Sequence, residues 1–86
     1  MLYDYAQLED GTQVAYSDVN ADNTVRIEVE RPRDYGFDSA SCLLPSYAWS
    51  NVDGFSTHEI ESLTGFLVDN APLILRFARE GRRKYA

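Results

Sequence analysis

Val25-Arg26-Ile27-Glu28-Val29-Glu30 alternates three β-branched residues with three charged ones. Successive side chains of a strand point to opposite faces, so this period of two gives the stretch one buried face and one wet face. Pro32 ends the run, because proline has no N–H to give a sheet ladder. On the N-terminal side, Leu2, Asp4, Ala6 and Leu8 alternate with Tyr3, Tyr5 and Gln7, and Glu9-Asp10-Gly11-Thr12 carries an Asp-Gly turn signal. The pattern predicts a hairpin whose second arm covers residues 13–19, joined to the central run through Asn20-Ala21-Asp22-Asn23. On the C-terminal side, a polar turn containing Gly36 leads into a fourth strand over residues 37–44, stopped by Pro45. The aromatic stretch from Tyr47 to Val52 is ambiguous between a short strand and an irregular loop, and is taken as a loop.

The period changes after residue 55. Ser56-Thr57-His58-Glu59 matches a capping box, with Phe55 and Ile60 placed as a hydrophobic staple. Ile60, Leu63, Leu67, Ala71, Ile74 and Ala78 then recur at spacings of three and four, and Phe66, Leu73 and Phe77 widen the stripe. Pro72 lacks the amide that residue 68 would accept from, so a kink or break is expected near Val68 to Asn70, with Asp69 or Asn70 capping a second piece. Gly81 is the expected stop. The expected fold is α+β: an antiparallel sheet of three to four strands with a C-terminal helix, kinked or broken near Pro72, packed on one face. The other face should keep tyrosines and acids. One domain covers 1–86, divided into a β meander with loops (1–54), a helical part (55–81) and a basic tail (82–86).

Eighty-six residues, 44% of them hydrophobic and 26% charged, suit one small globule. One cysteine, Cys42, excludes an internal disulfide, and one histidine, His58, excludes a Cys/His metal site within the chain. No apolar run approaches the roughly 18 residues of a membrane span, and no secretory signal opens the chain, so a cytoplasmic location is expected. Residues 1–70 hold thirteen acids against three arginines, a net −10, whereas residues 71–86 hold five cations against Glu80, a net +4. An acidic body repels phosphate backbones, so no direct nucleic-acid binding is expected, and attracts basic protein surfaces, including those that hold nucleic acid.

Asp18, Asn20 and Asp22 occupy positions one, three and five of a calcium loop, but Asn23 stands where glycine is needed and Val29 where a bidentate glutamate is needed. A plain turn explains them more simply, and a calcium-dependent small domain using these three residues is the alternative function. Cys42, beside Leu43 and Leu44, reads as a buried hydrophobe, and His58 as an exposed first-turn residue, so no catalytic pair and no cofactor is expected. The five glycines are too scattered to cradle a phosphate. Arg82-Arg83-Lys84 reads as a solvated tail. The surface expected to meet a basic protein partner comprises Glu28, Glu30, Asp34, Tyr35, Asp38 and Tyr47, where aromatic anchors stand among carboxylates. Monomer and homodimer both fit the sequence.

Strands followed by Leu44-Pro45 and a capped helix bearing Ile60, Phe66, Leu67, Asn70 and Ile74 resemble small bacterial proteins of mobile elements and toxin–antitoxin loci. That resemblance implies a non-enzymatic accessory protein. In composition alone, the chain also resembles acidic phage inhibitors of host defence, anti-CRISPR proteins among them.

Overall fold

The computed structural model describes residues 1–84. Five strands precede one helix: β1 (Leu2–Gln7), β2 (Gln13–Ser17), β3 (Val25–Arg33), β4 (Gly36–Leu44), β5 (Ala48–Asp53) and α1 (Thr57–Lys84). The strands form one antiparallel sheet in chain order, β1-β2-β3-β4-β5. The α+β expectation therefore holds, with one strand more than the three to four read from the sequence. The additional strand is β5, in the stretch read as a loop. It lacks a clean alternation of buried and exposed positions, and Asn51 sits at φ 53°; pairing with β4 creates it.

The alternation in β3 is realised. Val25, Ile27 and Val29 are buried and face α1 together with Val14 from β2 and Ala40, Cys42 and Leu44 from β4. The helix answers with Leu63, Leu67, Ala71, Ile74 and Ala78, all buried, so the core is a single layer between sheet and helix. The capping box is also present: Ser56 N–H donates to Glu59 Oε1 at 2.9 Å, and Glu59 N–H donates to Ser56 Oγ at 3.1 Å.

Contrary to the expected kink or break, α1 is one element through Pro72. Pro72 is exposed on the side away from the sheet, and Val68, whose carbonyl loses its helical donor, is half-exposed to water. Meanwhile Leu67, Ala71 and Ile74 hold both halves on the same core. Asn70 caps no second helix; its side-chain amide donates to the Phe66 carbonyl at 2.8 Å and its Oδ1 accepts from the Tyr5 hydroxyl at 2.6 Å. Nor does Gly81 stop the helix, which runs on to Lys84, since an interior glycine costs only about 1 kcal/mol relative to alanine. Of the expected basic tail, residues 85–86 lie outside the described residues.

The tyrosines also differ from expectation. Tyr3, Tyr5 and Tyr16 lie on the helix side of the sheet, where the rings of Tyr3 and Tyr16 are 5.3 Å apart and Tyr5 meets Phe66 and Phe77 edge-on or tilted. Tyr5, two residues past Tyr3, shares its face and reaches Asn70, while the register shift between Asp4 and Ala6 brings Gln7 round to the open face opposite Gln13. At the opposite edge, Trp49 Nε1 donates to Thr64 Oγ1 at 2.9 Å. Two polar ties thus hold the helix from the two edge strands.

Candidate functional site

With α1 on one face, the other face of the sheet is open. Cross-strand register places on it the row Asp4, Ala15, Glu28, Ser41, Ser50 and the row Gln7, Gln13, Glu30, Ser39, Asp53. Neighbouring strands lie about 4.8 Å apart, so each row puts two carboxylates roughly 10 Å from one another on a floor of alanine, serine and glutamine. Arg26 is the single cation among the described strand residues of this face; its Nε lies 2.8 Å from Glu28 Oε2. Glu28 also accepts from the Ser41 hydroxyl at 2.8 Å, which fixes its orientation. The open face is therefore an acidic plate, with Glu30, Asp4 and Asp53 exposed to water.

At one end of the plate stands the β3–β4 hairpin, whose two-residue connection is Asp34-Tyr35. Tyr35 is fully exposed, and Phe37 is 62% exposed opposite Pro32. An aromatic pair of this kind, in water at the rim of a charged face, has the composition of an interface anchor.

Of the six residues expected to meet a partner, Glu28, Glu30, Asp34 and Tyr35 share this hairpin and plate. Asp38 does not join them. It is 8% exposed on the helix side, where its Oδ2 accepts from Arg31 Nε at 2.9 Å and Arg31 Nη2 at 2.7 Å and lies 3.3 Å from Arg33 Nε. Tyr47 is half-buried against the core in the β4–β5 turn, at φ 60°, at the far end of β4 from the hairpin. Asp4 and Asp53, missed in the sequence, complete the plate. They are 49 residues apart in the chain, and their signal is their sheet register, which no local pattern carries.

Arg31 gathers acids from three elements. Besides Asp38 it pairs with Glu59 of the capping box and lies 3.7 Å from Asp10 Oδ2 in the β1–β2 turn, while its guanidinium sits 4.6 Å above the Phe55 ring. Its hydrogen bonds, with that of the Ser56 amide, hold the Glu59 carboxyl down at about 2. Asp10 is lowered chiefly by its bonds to Thr12, whose N–H donates to Asp10 Oδ1 at 2.9 Å. Gly54 belongs to the same cluster: at φ +90°, a Cβ there would lie 2.0 Å from Asp38 Oδ1. This cluster fastens helix start, hairpin and turn together.

The remaining candidates are occupied structurally. Asp18 accepts from the Tyr3 hydroxyl at 2.8 Å. Asp22 Oδ1 accepts from Thr24 N–H at 3.1 Å and from its hydroxyl at 2.6 Å, in a turn closed by Asn20 N–H on the Thr24 carbonyl. No group of three or more His, Cys, Asp or Glu among the described residues is arranged to hold a metal ion. Cys42 is fully buried in the core, where desolvation pushes its thiol up to about 11, whereas His58 is exposed in the first turn of α1. Among the described residues, no helix is long and apolar enough to cross a membrane. No family model, curated protein or solved structure matches the chain.

Proposed function

We propose that the chain is a non-enzymatic, cytoplasmic protein-binding module whose acidic plate and aromatic hairpin dock on a basic protein surface. The observation that carries this reading is the pair of cross-strand rows, which puts Asp4, Glu28, Glu30 and Asp53 on one uncovered face against Arg26 alone among the described strand residues. Carboxylates concentrated on one face draw in lysine- and arginine-rich partners and exclude acidic ones, while Tyr35 and Phe37 supply apolar contact area at the rim. A partner surface built to hold nucleic acid meets these requirements, because it presents cations to a regular array of negative charge. Occupying such a surface would block it, the action of an antitoxin-like or anti-defence inhibitor.

The test compares tagged wild type with Glu30→Lys/Asp53→Lys in capture from lysate of the native host, with nuclease added. Both positions are exposed, so the fold is retained, as circular dichroism checks. The expected result is a basic protein held by wild type, lost from the variant, and displaced by added nucleic acid. Equal retention by both chains would overturn the reading.

A further inference from the structure

We propose that the acidic plate also accepts a second copy of this chain, whose basic helix end docks on it so that copies join head to tail. This rests on the reading of the plate as a site for cations. The last buried side chain described on α1 is Ala78, yet the helix continues to Lys84. Ala71, Ile74 and Ala78 seat the C-terminal half of α1 on the sheet, and this part of the sequence carries most of the chain's positive charge: residues 71–86 hold five of the eight lysines and arginines. Arg76 and Arg79 are exposed on the flank they share with Pro72, and the described partner of Arg76 is the exposed Glu80 at 3.4 Å, a contact of little strength in water.

Two geometric facts make the contact intermolecular and heterologous. The helix and the plate lie on opposite faces of one sheet, so a chain cannot reach its own plate. Two plates cannot face each other, because Glu28 lies on the central strand β3 and such a dimer would bury like charges together. Helix end on plate is the complementary arrangement, and because each copy offers one of each, it repeats beyond a dimer. The net charge of −6 opposes assembly at long range, so the contact is weak and requires concentrated protein.

Sedimentation velocity up to about 1 mM protein, at roughly 20 mM and 500 mM salt, reads it directly, since exposed charge contacts weaken as the screening length shortens. The expected result is a sedimentation coefficient that rises with concentration at low salt and returns to the monomer value at high salt. Arg76→Glu/Arg79→Glu and Glu30→Lys/Asp53→Lys should each weaken association about tenfold, and mixing the two variants should recover part of it. A wild type that stays monomeric at low salt overturns the proposal. So does association that either variant leaves intact. A monomeric wild type that still retains a basic host protein, and loses it in Glu30→Lys/Asp53→Lys, removes self-assembly while leaving the plate's role with other proteins standing.

Discussion

Arg31 shows how one side chain fixes the relation between parts distant in sequence. Only 12% exposed, it is held by carboxylates from residues 10, 38 and 59, which come from a turn, a strand and the helix start. Arg31 and Asp38 are the sheltered members, and removing either leaves the other charged without its partner in a poorly hydrated place, which costs more than the pair itself contributes. The cluster also sets an acid limit. Glu59 is depressed from 4.5 to about 2, so its ionised form stabilises the fold fully above pH 4.5 and that contribution is lost as pH falls towards 2. Acid titration followed by circular dichroism should show wild-type stability dropping in that window, with the drop reduced in Glu59→Gln. An identical slope in both would contradict the assignment. The capping role of Glu59 was legible in the sequence, but its link to Arg31 and Asp38 was not, and Asp38 was expected at a partner surface; only the cross-strand pairing of Arg31 with Asp38, combined with the helix start above them, turns the two inward.

Among the elements, β3 and the start of α1 were legible because their signals are local: alternation over six residues, and a capping box that specifies its own hydrogen bonds. The strand β5 and the unbroken helix were not, because both depend on contacts outside themselves. Ala48–Asp53 becomes a strand through β4 and the Trp49 tie to Thr64, and α1 passes Pro72 because the core grips it on either side. That makes Pro72 a residue tolerated at a cost. Pro72→Ala would restore the donor to the Val68 carbonyl at an exposed site, and it should raise stability by about 1–3 kcal/mol, read from urea or thermal unfolding. No gain would mean that the helix already compensates for the missing bond.

For the whole molecule, the dominant fact is uneven charge. Residues 1–70 carry thirteen acids and three arginines, and two of those arginines, Arg31 and Arg33, are turned to Asp38. Repulsion within the acidic plate is therefore largely uncompensated, and screening it should stabilise the fold. The melting temperature should rise between roughly 20 mM and 500 mM sodium chloride, because the exposed repulsive pairs are screened more than the sheltered Arg31 cluster. A falling melting temperature would show that attraction outweighs repulsion. The sign of this charge was plain from composition. Its position was not, because Asp4, Glu28, Glu30 and Asp53 become neighbours only when five strands are laid side by side.

The strand order has a kinetic consequence. Every strand neighbours the one before it in the chain, and the shortest connection, two residues, lies between β3 and β4. Loop closure is cheapest there, so this hairpin is the natural place for folding to begin, on the microsecond scale typical of hairpins. Arg31 and Asp38 are paired across this hairpin, so a nucleus formed there would hold the charges that Glu59 completes when the helix docks. Substitutions in β3 and β4 should accordingly slow folding, and substitutions in the second half of α1 should instead hasten unfolding.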